Sequence, residues 1–292
     1  MHSYPDILQQ KTDRLMIAYL AVTAALSIAR TPDWPWRVAV HGAAIAVVIW
    51  LASHRGPLPA TLRFVRDWYP AISFPLLYKE VETLARAVGN WGLTGYVRQW
   101  EEGLWSGQPS LWMSERLPSI FLSEYLHFMY FAYILLLPAV GGWWYFSKQR
   151  PAFHELLFLL TATYLLNYLF YILLPVDSPF YLAPRLEEPL SDQFFYNLVH
   201  FFSARGGARG GAFPSSHVAV STVVWLAAWR WQPRLALLIT PVVLGVYAAT
   251  VYGRFHYTLD VFAGWIVALA VVGMHRRTAS ASRESQILSR PL

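Results

Sequence analysis

The chain contains no cysteine among its 292 residues, which excludes a disulfide framework and a cysteine-based metal site. Charge is scarce as well: 14% of residues are Asp, Glu, Lys or Arg, against 56% hydrophobic and 16% aromatic. With a mean hydropathy of +0.35, that balance excludes an ordinary soluble domain and a disordered chain. The 23 basic residues outnumber the 17 acidic ones for a net charge of +6, but they stand singly between apolar runs. No dense basic patch forms, so nucleic acid is not an expected partner, and the charges suit membrane topology and anionic lipid. Internal repeats are missing apart from a Gly-Gly-Ala-Arg-Gly-Gly stutter from Gly206 to Gly211, which reads as a loop. No cleavable signal is expected, because the apolar run 15–29 follows polar residues and lacks a cleavage site before Arg30.

What is present is a series of apolar runs of membrane length. Residues 15–29, 38–52, 117–146, 153–174, 216–231, 235–252 and 257–274 read as spans, the first somewhat short. The expected fold is an all-α, polytopic membrane helix bundle with about six to seven transmembrane helices and interfacial amphipathic helices. Four regions follow: an N-terminal transmembrane hairpin at 1–53, an interfacial amphipathic segment at 54–116, a membrane bundle carrying the chemistry at 117–276, and a disordered cytoplasmic tail at 277–292. Within the second region, Tyr78 to Val88 and Arg98 to Trp112 have the pattern of amphipathic helices lying in the interface. Lys148, Arg150, Arg230, Arg234, Arg276 and Arg277 mark cytoplasmic ends by the positive-inside rule, which places His217 and His256 together on the extracytoplasmic face. Seven spans leave Lys11 and Arg14 on the wrong side, so either the first run does not cross or a crossing is hidden within residues 68–116.

The chemistry concentrates between Gly206 and Asp260. A glycine-rich loop runs into Pro214-Ser215-Ser216-His217 and then an apolar run, the pattern of a capped helix N-terminus. Its free N–H groups and positive dipole end suit a phosphate, with Gly211 allowing close approach and the Ser215 and Ser216 hydroxyls adding donors. His256 and Asp260 stand four apart and share a helix face, where a carboxylate fixes the imidazole tautomer. Glu124 and His127 form a second ionisable pair near the start of a span and are expected to support the site rather than react. Asp177 and Tyr181, in the long loop 175–213, are candidates to touch a polar headgroup, and either could equally serve the loop's own structure, the preferred reading for Asp177.

Pro214-Ser215-Ser216-His217 and His256-Tyr257-Thr258-Leu259-Asp260 resemble the second and third signatures of the phosphatidic acid phosphatase type 2 superfamily of membrane phosphoesterases. Within it the chain is most similar to the inositol phosphorylceramide synthase branch and its bacterial relatives, to which Arg66-Asp-Trp-Tyr-Pro70 and Pro175-Val-Asp-Ser-Pro-Phe-Tyr181 also fit. The resemblance implies that His256 attacks phosphorus to give a phosphohistidine, that Asp260 orients it and that His217 protonates the leaving group. It implies membrane lipids as partners, a phospholipid donor and a lipid alcohol acceptor. No metal or other cofactor is demanded, because tautomer control accounts for the i,i+4 pairing of His256 with Asp260; a metal held by His217, His256 and Asp260 is the alternative. The phosphatases' first signature, a lysine followed at a distance by Arg-Pro, is missing, and Thr250 stands where their third signature has arginine. Arg254 is the first expected substitute as phosphate clamp, with Arg205 and Arg209 behind it. Transfer to a lipid alcohol and hydrolysis by water use the same histidines. A transporter or non-catalytic membrane protein is the third reading, in which both histidines would be interfacial decoration.

Overall fold

A computed structural model describes residues 3–54, 58–89 and 91–288. Among the described residues there are twelve helices and no strand: α1 Tyr4–Arg30, α2 Trp34–Ser53, α3 Ala60–Val88, α4 Leu93–Trp105, α5 Pro109–Arg116, α6 Ile120–Phe146, α7 Arg150–Leu173, α8 Pro179–Leu182, α9 Phe194–Gly206, α10 Ser216–Trp231, α11 Pro233–Tyr252 and α12 Thr258–Leu288. Six of them, α1, α2, α6, α7, α11 and α12 as far as Ala279, are long and apolar enough to cross a membrane. The protein is a multi-pass membrane protein built as an all-α bundle.

Local chemistry sets the helix ends. Ser3 and Asp6 form a capping box at α1, where the Asp6 N–H donates to Ser3 Oγ at 3.4 Å and the Ser3 N–H to Asp6 Oδ2 at 3.0 Å. Ser215 caps α10, accepting from the Val218 N–H at 3.4 Å, and prolines open α2, α7 and α11. Helix α10 is buried on nearly every side against α6, α7, α11 and α12, so its N-terminus is held at the centre of the bundle. A Cβ built on Gly264 of α12 would lie 2.7 Å from the Ser215 carbonyl oxygen, so glycine is what lets α12 approach α10 there.

The two ends of the bundle differ in chemistry. At one end the histidines and the long loops gather. At the other, a buried polar network ties helices together: Arg66 of α3 donates both guanidinium ends to Asp13 of α1, at 2.8 and 2.5 Å, and Tyr69 donates to the same carboxylate at 2.7 Å. Asp67 takes Arg150 of α7 at 2.5 Å, and Glu155 gathers Tyr4, Arg230 and His275. In a low-dielectric bundle such charges persist only when paired.

This network settles how the N-terminal region runs. Helix α3 starts at the polar-network end with Arg66 and Asp67 and finishes at the histidine end. There the Tyr78 hydroxyl accepts from the Ala208 N–H at 3.2 Å and Glu82 from the Arg209 N–H at 3.0 Å. It therefore runs from one end of the bundle to the other, packed on α7 and α1, although it is not among the six helices apolar enough to cross a membrane. Tyr78 to Val88 is accordingly the end of a bundle helix rather than a separate interfacial helix, with Leu77, Val81 and Leu84 buried. Arg98 to Trp112 is not one helix either: α4 stops at Trp105, and Ser106 takes a left-handed φ of 53° before α5 begins. Helix α1 begins well before residue 15 and is full length. The segment expected as a disordered tail is a continuation of α12 to Leu288, and residues 289–292 lie outside the described residues.

Removing one partner of a buried ion pair leaves an uncompensated charge, at a cost of about 3–5 kcal/mol. Asp13→Ala should therefore lower stability by about 3 kcal/mol in detergent, whereas replacing the exposed Glu102 by Ala should leave it within about 0.5 kcal/mol. Denaturant midpoints of the two purified variants check this.

Candidate active site

The site is assembled where α10 and α12 begin. The Ser215 N–H donates to the Asp260 carbonyl at 2.9 Å, pinning the two helix starts at one level. Asp260 Oδ2 accepts from the Tyr257 N–H at 2.9 Å and faces His256 Nδ1 at 3.2 Å. The carboxylate thus keeps the proton on Nδ1 and leaves Nε2 as the basic nitrogen. His256 Nε2 lies 3.3 Å from His217 Nδ1, so the two imidazoles are in direct contact. His217 is held by aromatic faces, with ring centroids 4.6 Å from Tyr130 and 4.5 Å from Tyr133. Tyr130 also stacks on Phe255 at 4.1 Å, which locks the residue just before the nucleophilic candidate.

The loops converge on the same point. Tyr171 donates to the Pro214 carbonyl at 2.8 Å and accepts from the Ser216 N–H at 3.1 Å, fixing the turn into α10. Val176 and Gly211 form a parallel bridge that ties the loop after α7 to the glycine-rich loop. Ser178 donates to the Phe255 carbonyl. Glu101 of α4 caps α12: it accepts from the Thr258 N–H at 2.9 Å, the Thr258 hydroxyl at 3.0 Å and the Leu259 N–H at 3.3 Å. Burial raises the Glu101 pKa, while its bonds to those α12 groups pull it down.

The histidines form part of the wall of a cavity of about 600 Å³. His217, His256, Ser216, Gly211 and Tyr181 line it, so five of the nine residues expected at the site face one space. Ser215 and Asp260 stand directly behind that wall as cap and orienting carboxylate. Two do not reach it. Arg254 turns away, with Nη1 donating to the Pro184 carbonyl at 2.6 Å and Nη2 to Ser114 at 2.9 Å, its backbone at a φ of 61°. Asp177 is a loop brace, accepting from the Gly210 N–H at 3.1 Å while its own N–H donates to Thr94 at 3.0 Å. Among the described residues that line the cavity there is no lysine or arginine. Arg209 sits at its border, over the Tyr181 ring at 5.1 Å and 4.0 Å from Asp177. Arg205 is engaged through its carbonyl with Lys79 at 2.6 Å.

Glu124 accepts from the Phe195 and Tyr196 N–H groups at 2.7 and 3.1 Å, so it caps α9. His127 packs with Tyr196 and His200 behind Phe255. Burial, with His127 and Arg185 nearby, pushes the His200 pKa down to about 3, so His200 is neutral. Glu101, Tyr130, Tyr133 and Tyr171 were not legible as site residues. Their only signals were an acid in a tryptophan-rich helix and tyrosines in apolar runs, and neither names a partner.

Two helix starts carrying a histidine pair and a buried aspartate thus open on an apolar cavity inside a bundle of membrane-length helices. The family model described as PAP2 superfamily matches residues 106–274, more than half of the chain, and the chain belongs to that superfamily. No curated protein and no solved structure matches it. As a member, it is an enzyme of the phosphatase and phosphotransferase class acting on lipid phosphoesters.

Losing the Glu101 cap leaves two α12 N–H groups without their acceptor, at about 1–3 kcal/mol. Glu101→Ala should lower stability by that amount and reduce turnover, because Thr258 and Leu259 sit between His256 and Asp260. Asp260→Asn should keep the fold and lower kcat roughly 10³–10⁴-fold with KM little changed, by analogy with tautomer loss in other triads. Steady-state kinetics beside thermal melting separate the two effects.

Proposed function

We propose that the protein is a lipid phosphotransferase that moves a phosphate-bearing headgroup from a phospholipid to a lipid alcohol through a phosphohistidine on His256, in the manner of inositol phosphorylceramide synthases. The observation that carries this reading is the His256 Nε2 contact with His217 Nδ1 at the wall of an apolar cavity, backed by Asp260. His256 is only 4% exposed and borders an apolar cavity, a setting that favours a lipid acceptor over hydrolysis.

The chemistry follows from the geometry. The phosphoryl group enters where the two imidazoles now touch, so binding separates them. Its negative charge favours the imidazolium form of His217. His256 Nε2 attacks phosphorus in line, the N–P bond forms as the P–O bond to the donor lipid breaks, and the departing oxygen takes the proton of His217. The acceptor hydroxyl then gives its proton to His217 as its oxygen displaces His256. The positive end of α10 and the glycine-rich loop offset charge on the phosphoryl oxygens, and Arg209 at the cavity border is the guanidinium best placed to help. The active site faces the extracytoplasmic side, since Lys148, Arg150 and Arg230 all stand at the opposite end of the bundle.

The test is to incubate the purified protein in nanodiscs with a phosphate-labelled phospholipid and a panel of lipid alcohols. Transfer of label to a second lipid, with acid-labile label on the wild-type protein and both lost in His256→Ala, is the expected result. Label found in water-soluble products alone would make water the acceptor and the enzyme a hydrolase. Equal behaviour of His256→Ala and wild type would remove the phosphohistidine reading altogether.

A further inference from the structure

The cavity is far larger than a phosphate group needs, and its shape follows two helices. From the histidines it runs along α3 past Tyr78, Phe74 and Ala71 to Trp68, and along α6 past Tyr130 and Ile134 to Pro138. At 1.5 Å per residue, ten residues of α3 correspond to a length of about 15 Å. Helices α3 and α6 both pack on α7 but not closely on each other, which leaves a cleft floored by α7. Ile72 and Ile134, one on each rim, are each 54% exposed, so the cleft opens sideways toward the surrounding lipid.

The far end is closed by one side chain. Trp68 reaches from α3 across to α6, where a Cβ built on Gly141 would lie 3.3 Å from its Cη2. Its ring is fixed by Phe64, Tyr145 and Phe153, at centroid distances of 5.8, 5.8 and 5.0 Å. The walls are apolar, and the tyrosine hydroxyls deep in them are already engaged: Tyr133 with Tyr164 at 2.7 Å, and Tyr168 with the Phe74 carbonyl at 3.1 Å. Trp68 Nε1 is buried with no hydrogen-bond partner among the described residues, so a polar occupant would find little more than that one donor there.

The geometry points to one occupant: a single hydrocarbon chain of the lipid whose phosphoester meets His256, with Trp68 as the stop that sets how long that chain can be. The inference rests on the phosphotransfer reading above for what happens at the head of the cavity. The depth of the cavity is a separate matter. Helix α3 and Trp68 lie outside the stretch matched by the superfamily, so chain length is read by a part of the protein that the catalytic signatures do not include.

The experiment is a series of phosphoesters with chains of increasing length, assayed with wild type, Trp68→Ala and Ala71→Phe in the same nanodiscs. Wild type should show a kcat/KM optimum followed by a steep fall. Trp68→Ala should move the optimum to longer chains, raising kcat/KM at least tenfold for chains just beyond the wild-type limit, and Ala71→Phe should move it to shorter ones. Should Trp68→Ala fail to fold, the shortening by Ala71→Phe decides. Profiles that superimpose on wild type while His256-dependent turnover persists would overturn the chain-length stop and leave the histidine chemistry standing. If no histidine-dependent turnover exists, a phosphatidic acid carrying a diazirine on its terminal chain carbon still answers the question. Crosslinks to Trp68 or Leu137 support the occupant, and crosslinks confined to the outer face of the bundle overturn it.

Discussion

The hydrogen bond from the Ser215 N–H to the Asp260 carbonyl is the point on which the site depends. It fastens the first turn of α10 to the first turn of α12, and the distances among His217, His256 and Asp260 follow from that level. His217 is two residues past one end of the bond and His256 four residues before the other. Shifting either helix by a single residue, about 1.5 Å, would separate the imidazoles or move Asp260 off Nδ1. Two features elsewhere make the bond attainable. Gly264 allows α12 to come in against the Ser215 carbonyl, and Tyr171 holds Pro214 and Ser216 from α7 so that the loop cannot swing away.

The chain outside the superfamily match is more than an anchor. Glu101 lies before residue 106, yet it satisfies the N–H groups at the start of α12, which would otherwise face an apolar surround. Helix α3 lies before it too and supplies a full wall of the cavity. A bundle beginning at α5 would hold both histidines but would have an uncapped α12 and an open side. The buried network of Asp13, Arg66, Asp67 and Arg150 then has a clear purpose: it pins α3 to α1 and α7 at the end remote from the chemistry, and so keeps that wall in place.

The membrane class, the histidine pair and its aspartate were legible because they depend on short-range regularities. Apolar runs have a length set by the bilayer, and an i,i+4 pair on a helix meets whatever the rest of the chain does. Helix α3 was not legible, because hydropathy counts Arg66, Asp67, Lys79, Glu80 and Glu82 as costs and cannot see that Asp13, Arg150, the Arg205 carbonyl, Arg37 and the Arg209 N–H lie ready to meet them from distant positions. Arg254 shows the reverse failure. Its place two residues before His256 suggested a phosphate clamp, but its backbone conformation turns the guanidinium to Pro184 and Ser114. Position along a chain predicts contact inside a helix and not in a tight turn, where one φ decides the direction of the side chain.

The scarcity of cations along the cavity has a physical consequence of its own. A lysine or arginine in an apolar cavity with no anion bound would be a buried, unpaired charge, which cannot be left there at low cost. The partial charge of a helix dipole carries no such penalty, since it is present whether or not a phosphate is bound. Asp260 and His256 follow the same rule, because an acid hydrogen-bonded to an imidazole is a pair that needs no third ion. Among the described residues the cavity is accordingly lined without lysine or arginine, and Arg209 stands at its border against Asp177, with 42% of its side chain exposed. Such a lining suits apolar matter, which would meet no lysine or arginine along the walls and a guanidinium only at the border.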